Sequence, residues 1–326
     1  LKYTFMSKWP LALACLATFA QAQAQPAAEW PARPVRVVVA FTAGGTTDLL
    51  ARSVSQQLSE RLKQTFIVDN KPGAGGNIGT AEVARAAPDG YTMIVNSVGP
   101  MAVNLSLYKK LPVNPLTDLE PVVQIADVPN VLVVHPSVKA ATLAEFVALA
   151  RSGKGELNYS STGIGTSSHL AGFMLGQRGG FTATHVPYKG AEALKDLLAG
   201  RVQFMFATIP SVIQHIRTGA LRPLAVSSPQ RSRSMPDVPT VAESGYPGFE
   251  AGSWFGYFAP RGTPPAVVAK VNAAVNEILR LPEIERQMVQ EGADPIGGSS
   301  EAFGRFVRAE HDKWKVVVRD SGATVE

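Results

Sequence analysis

A repeating order of β-branched run, glycine-bearing turn and helix-period segment is the feature that most limits how this chain can fold. Val35-Arg36-Val37-Val38-Val39-Ala40-Phe41 is rich in β-branched residues and reads as a buried strand, while Leu49 to Leu62 places its apolar residues at helical intervals. The pair recurs as Thr65–Val68 before Ile78–Ala86, and as Tyr91–Val95 before the region Met101–Tyr108. Strand, turn and helix in this order predict an α/β fold with a largely parallel sheet covered by helices.

Pro112, Pro115 and Pro121 interrupt regular structure around Lys110–Pro121. A second series follows, with strands expected over Val131–Val134, Leu157–Ser160, Thr184–Pro187, Phe204–Ala207 and Leu221–Val226. Helices are expected over Leu143–Arg151, Ser167–Gly176, Ala191–Leu198 and Pro210–Ile216. Pro229–Pro265 is rich in proline, glycine and serine, with one strand at Ser253–Phe258. Helices beginning near Pro265 and at Pro282, and another over Ala302–Val318, close the chain. Residues 25–127 and 250–326 are assigned to one lobe and 128–249 to a second, with two crossings between them that form a hinge.

Residues 1–24 read as an export signal. Lys2 and Lys8 give a basic start, Trp9–Ala20 is almost entirely apolar, and Ala20-Gln21-Ala22-Gln23-Ala24 offers small-x-small cleavage sites. The apolar run is too short to span a bilayer, so a soluble exported protein is expected, periplasmic where a periplasm exists. Ala12-Leu13-Ala14-Cys15 matches a lipoprotein box only loosely, and no covalent membrane anchor is expected. Cleavage after Ala24 removes the only cysteine, which excludes disulfides, a thiolate nucleophile and cysteine-ligated metal.

Two loops carry the candidate site. Phe41-Thr42-Ala43-Gly44-Gly45-Thr46-Thr47-Asp48 lies between a strand and a helix, where glycines bring backbone N–H groups to a ligand and the positive helix end favours an anion. Thr46 and Thr47 can cap that helix or donate hydroxyl protons, and Asp48 either braces the turn or accepts from a ligand. The carboxyl end of a first sheet strand is also where open α/β sheets place ligands. The second loop, Tyr159-Ser160-Ser161-Thr162-Gly163-Ile164-Gly165-Thr166-Ser167-Ser168-His169, sets a dense group of hydroxyls around two glycines. Loops from separate lobes can close on opposite oxygens of one carboxylate with neutral donors. His169 reads as a packing or hydrogen-bonding residue beneath the loop. Further cleft candidates are Asn96, Ser97, Gly99 and Asn104, then Tyr188 and Lys189, then Phe206, Thr208 and Ser211, and the aromatic pair Trp254 and Tyr257.

Other functions fit the residues less well. Gly73-Ala74-Gly75-Gly76-Asn77-Ile78-Gly79 has GxGxxxG spacing without an acidic residue about 20 positions on, and lacks the lysine of a phosphate loop, so no nucleotide cofactor is expected. His135, His169, His185, His215 and His311 show no tight metal-ligand spacing, and there is no GxSxG elbow. No metal site and no catalytic residue is therefore assigned. An exported hydrolase with a dispersed site remains the main alternative, and a ligand sensor for a signalling partner the next. The formal charge of +5 is mild and no basic cluster alternates with aromatics, which excludes a nucleic-acid surface.

These motifs resemble those of the periplasmic solute-binding proteins of the tripartite tricarboxylate transporter class, the Bug or TctC-like family. The resemblance rests on Pro34-Val35-Arg36 leading into Phe41–Asp48, on Asn70-Lys71-Pro72-Gly73-Ala74-Gly75-Gly76-Asn77-Ile78-Gly79, and on Pro88-Asp89-Gly90-Tyr91. Leu157–Ser161, Val186-Pro187-Tyr188-Lys189-Gly190 and Asp237–Phe249 extend it over the mature chain. It implies a two-lobed, type II-like Venus-flytrap fold and a receptor rather than an enzyme; a monomer is expected. It also implies delivery of the ligand to one large and one small membrane subunit. The site it implies runs from Ala43 to Asp48 and includes Ser161, Thr162, Gly165, Thr166 and Ser167, beside Ser97, Tyr188 and Thr208 read from the chain. Many relatives carry a polar or acidic residue where Ala207 stands. Its methyl group cannot hold an ammonium, so a di- or tricarboxylate or an aromatic acid is expected before an amino acid.

Overall fold

The computed structural model describes residues 2–3, 29–153, 157–321 and 325. The expected export signal, with Cys15 and the cleavage sites, lies outside the described residues apart from positions 2 and 3.

The chain opens with β1 (Val35–Val39), α1 (Thr46–Leu62), β2 (Phe66–Asn70), α2 (Asn77–Ala84) and β3 (Thr92–Ser97). A π-helical turn over Gly99–Val103 leads into α3 (Asn104–Leu107), α4 (Pro115–Asp118) and β4 (Leu119–Val128). The second series is β5 (Asn130–Val134), α5 (Leu143–Arg151), β6 (Asn158–Ser161), α6 (Ser167–Gly179) and β7 (Thr184–Pro187). It continues with α7 (Glu192–Leu198), β8 (Phe204–Thr208), α8 (Ile209–Arg217) and β9 (Arg222–Val226). Then come β10 (Ser253–Pro260), α9 (Pro265–Leu279), α10 (Pro282–Glu291), β11 (Asp294–Pro295) and α11 (Ser300–Ser321).

The strands form two sheets, ordered β11-β4-β10-β3-β1-β2 and β7-β6-β8-β5-β9. The chain leaves the first sheet at Val128, enters the second at Asn130, and rejoins the first at Ser253. Asn130 ties the two crossings together, its Nδ2 donating to the carbonyl of Ala251 at 2.5 Å.

Neither sheet is the largely parallel one expected. β1 runs parallel to β2 and β3, and β6 parallel to β7 and β8, but β10 is antiparallel to both β3 and β4, and β5 to both β8 and β9. The cause is the crossing itself: β4 carries the chain out of the first lobe and β10 brings it back alongside, so the two must run in opposite directions. The second correction concerns Pro121, expected to lie in an irregular stretch but found inside β4. The register between β4 and β10 shifts between Tyr257 and Phe258, opposite Val123 and Pro121. A bulge there admits a residue with no N–H to give to the ladder.

Burial on both faces explains why β1 is apolar apart from Arg36, which pairs with Asp69. Val35, Val37 and Val39 pack with Leu58 of α1 and Val271 of α9, whereas Val38 and Ala40 join the opposite layer with Ile94, Phe258 and the fully buried Trp314 of α11. Each of the valine, leucine, isoleucine and phenylalanine side chains among them contributes about 1.5–3 kcal/mol of burial free energy. The second of these clusters spans the lobes: Phe41, Val98 and Leu107 from the first share it with Tyr159, Leu170 and Phe204 from the second. Apolar packing thus brings the loop after β1 against the loop after β6.

Candidate functional site

The loop after β1 is held by Asp48. Its carboxylate accepts from the Gly44 N–H at 2.9 Å, from Arg52 Nε at 3.0 Å and from Asn70 Nδ2 at 3.0 Å. Burial opposes its charge, but the hydrogen bonds from Arg52, Gly44 and Asn70 outweigh that cost and hold its carboxyl below the usual range. Asp48 is therefore occupied as a brace. Gly45, the N-cap of α1, offers no side chain to the first turn. The N–H groups of that turn, with the positive end of a 17-residue helix behind them, are left to whatever lies in front.

The loop after β6 is braced from within. Thr166 caps α6, accepting from the His169 N–H at 3.5 Å and donating its own proton to Gly163 O at 2.8 Å. Ser168 donates to the carbonyl of Phe206, and Ser167 Oγ lies 3.5 Å from Asn130 Oδ1. His169 accepts from the Gly165 N–H at 3.2 Å, and Ser161 shares a 2.6 Å hydrogen bond with His185. Burial pushes the His169 imidazole down to about 4. Burial and the neighbouring His169 push His185 down to about 3. Both rings are neutral at neutral pH.

Between the loops lies a small cavity of about 50 Å³. The first lobe gives it Phe41, Gly45, Thr46, Thr47, Ser97, Val98, Ser253 and Phe255; the second gives Thr162, Thr166, Ser167, Gly190, Ala191 and Thr208. None of these side chains carries a formal charge, and hydroxyls dominate the polar part. Hydrogen bonds latch the lobes around it: Thr46 Oγ1 to Thr208 Oγ1 at 2.8 Å, Thr42 Oγ1 to Lys189 O at 2.9 Å, and Ala191 N to Thr42 Oγ1 at 3.0 Å. A wider depression of about 660 Å³ adjoins it, sharing Phe41, Thr162 and Gly190 and bounded by Gly73–Gly76, Gly163 and Tyr188.

Of the residues singled out in the sequence, Gly45, Thr46, Thr47, Ser97, Thr162, Thr166, Ser167 and Thr208 meet at this cavity. Others stand elsewhere. Ala43 and Gly44 are exposed at the outer turn. Asp48 faces Arg52. Ser161 is fully buried beneath its loop, and the Gly165 N–H is taken by His169. Tyr188 borders the outer depression and donates its hydroxyl to Asp196. Ala207, read as the place of an ammonium partner, is fully buried in the second lobe's core, and the next residue, Thr208, is the one that reaches the cavity. Asn96 is tied to Thr80 and Asn104 to Asn77, Phe206 stacks on Phe249, and Ser211 turns back to the Thr208 carbonyl. Trp254 packs against Phe303 and Phe306, and Tyr257 bonds Ser55 in the first lobe's core. Gly190, Ala191, Ser253, Phe255 and Val98 were not singled out. Their one signal was position, each standing next to a strand end or turn already marked.

Residues 50–323 match the sequence profile of the "Tripartite tricarboxylate transporter family receptor". The chain belongs to that family. Protein BugT of Bordetella pertussis is 39% identical over 299 residues, 91% of this receptor and 92% of BugT. An R. palustris protein solved with adipate superposes with a TM-score of 0.89 at 39% identity, covering 91% of this receptor and all of that chain. MatC from Rhodopseudomonas palustris, solved with bound malate, gives a TM-score of 0.84 at 34% identity over 89% of this receptor and all of that chain. The receptor has the two-lobed α/β fold of periplasmic binding proteins. Among the described residues, no helix is long and apolar enough to cross a membrane.

Proposed function

We propose that this receptor captures a small organic carboxylate, a di- or tricarboxylate or an aromatic acid, in the cavity between its lobes and releases it unchanged. The observation that carries this reading is the composition of the cavity wall, where uncharged hydroxyls and the open first turn of α1 converge from both lobes with no cationic side chain among them. Such a wall suits an anion because each carboxylate oxygen receives charge-assisted bonds from fixed neutral donors. Phe41, Val98 and Phe255 supply apolar surface for the carbon skeleton. The adipate and malate held by relatives of the same fold agree with this chemistry.

The cycle is physical. A ligand bonded to both lobes stabilises the closed arrangement over the open one, and the population follows. The movement is assigned to the two chain crossings near residues 128 and 250. Delivery would be to the large and small membrane subunits of a tripartite tricarboxylate transporter, by a monomeric periplasmic protein.

A thermal-shift and calorimetric panel of carboxylates, followed by mass analysis of the recovered ligand, tests the reading. Binding of at least one carboxylate, recovered at unchanged mass, is expected. Turnover of the ligand, or tight binding of an uncharged or purely cationic solute alone, contradicts it.

A further inference from the structure

Beneath the second loop, outside the cavity, four rings stack in one column. Phe204 and Tyr159 lie 5.2 Å apart at 20°, Tyr159 and His185 4.9 Å apart at 27°, and His185 and His169 4.0 Å apart at 19°. The column joins β8, β6, β7 and α6. Helix α6 rests close against it because Gly172 has no side chain: a Cβ there would stand 2.4 Å from the Tyr159 ring. Packing alone would be met by apolar rings. The two imidazoles at the end of the column instead engage the loop that faces the cavity.

One proton is fixed by its partner. His169 Nδ1 accepts from the Gly165 N–H, so the proton of the neutral ring is on Nε2; a doubly protonated ring would point N–H at N–H. Ser161 Oγ has three partners: it receives the Gly163 N–H at 3.2 Å and stands 3.1 Å from Gly163 O and 2.6 Å from His185 Nε2. A hydroxyl has one proton and two acceptor sites. Whichever of the Gly163 carbonyl and His185 Nε2 takes that proton, it is spent inside the loop. Ser161 then has no proton left to give a ligand.

We propose that His169 and His185 are positioning residues of the ligand site, a neutral imidazole pair that clamps Gly165 and Ser161 so that Thr162, Thr166 and Ser167 face the cavity. The inference rests on the proposed carboxylate site. It explains why two donors read from the sequence as ligand contacts, the Ser161 hydroxyl and the Gly165 N–H, are turned inward. They fix the frame of the loop, and the residues between and after them carry the recognition. Among the described residues, the titratable groups in ring contact with the pair are each other and Tyr159 of β6, so a positive charge on either imidazole would stand at stacking distance from the other.

Long-range ¹H–¹⁵N spectra of the imidazoles in the full ligand-free protein test the clamp without any substitution. Both rings are expected to stay neutral from pH 8 to pH 5, with His169 as the Nε2–H tautomer. Titration of either near its ordinary value, or a protonated Nδ1 on His169, overturns the proposal. His169→Phe and His169→Asn give the second arm. Hydrogen exchange at the Gly165 amide is expected to accelerate about tenfold in the Phe variant, with weaker adipate binding if adipate is a ligand, and to recover in part in the Asn variant, whose amide oxygen can accept. Unchanged Gly165 protection in a folded Phe variant also overturns it. The wild-type spectra keep the test decisive should a variant fail to fold. Failure of every carboxylate to bind, with both rings neutral and His169 as the Nε2–H tautomer, would overturn the function reading and leave the clamp standing as a loop support.

Discussion

Thr46 Oγ1 stands 2.8 Å from Thr208 Oγ1, so the first residue of α1 in one lobe is hydrogen-bonded to the residue that opens α8 in the other. Both hydroxyls also border the cavity. Closure and recognition therefore share the same atoms. Replacing Thr208 by Val keeps the shape and removes the hydroxyl, which is worth about 0.5–1.5 kcal/mol. Carboxylate affinity should fall by roughly two- to tenfold with little change in Tm, as read by calorimetry. Unchanged affinity would remove this bond from the closing mechanism.

Gly190 forms the other latch. A Cβ on it would lie 2.6 Å from Thr42 Oγ1 and 3.2 Å from Thr42 N, and its φ of 87° is one that L side chains avoid. Gly190→Ala should push Thr42 off the Lys189 carbonyl and the Ala191 N–H and shift the population to open forms. Small-angle scattering should then show an open particle at ligand concentrations that close the parent protein. A closed particle in the variant would mean the Thr42 latch is dispensable.

The paired glycines of the first loop should separate strain from contact. Gly44 has φ 84° with nothing near its missing Cβ, so Gly44→Ala should lower stability by about 1–2 kcal/mol and leave affinity nearly intact. Gly45 sits at φ −85° with its nearest neighbours at 3.8 and 4.0 Å, so Gly45→Ala should fold normally and weaken binding by crowding the cavity. Denaturant melts beside calorimetry on both variants read the difference, and the reverse pattern would mean the ligand lies nearer Gly44.

Stability should respond to acid in two opposite directions. His169 and His185 resist protonation when folded, at about 4 and about 3, while the unfolded chain takes up those protons near 6.5. Stability is therefore lost as pH falls from about 6.5 toward 4. Asp127 behaves in reverse. Although the residue as a whole is exposed, partial loss of hydration at its carboxyl, with Glu310, Asp294 and Glu250 nearby, pushes it up to about 6, against the Gln124 side chain that favours its charge. The folded state then binds the extra proton, and stability falls as pH rises from about 4 to 6. Asp127→Asn should melt higher than the parent protein at pH 8 and match it below pH 4. An equal gap at both pH values would assign the effect to packing.

The loops that meet at the cavity were legible because their chemistry is local. A strand end followed by glycine and hydroxyl residues announces a helix start with open N–H groups, and Thr46, Thr166 and Ser167 are found in that setting. What escaped depends on distance along the chain. Ser253 and Phe255 reach the cavity because β10 returns beside β3, pairing Phe255 with Ser97 across more than 150 positions. The Ser161 hydroxyl is turned inward by His185 on a neighbouring strand, and a run of serines does not tell which of them a tertiary partner will claim. Pro121 concealed β4 for a related reason, since only a bulge set by β10 makes room for it.

A structure of the receptor with a bound carboxylate would show which groups from each lobe hold the anion. A carboxylate group between the lobes is expected, with hydrogen bonds from the first turn of α1 at Thr46 or Thr47 and from the Thr162–Ser167 loop opposite, and with no cationic side chain in contact. A ligand seated outside this cavity, or one held there by a lysine or arginine drawn in on binding, would contradict it.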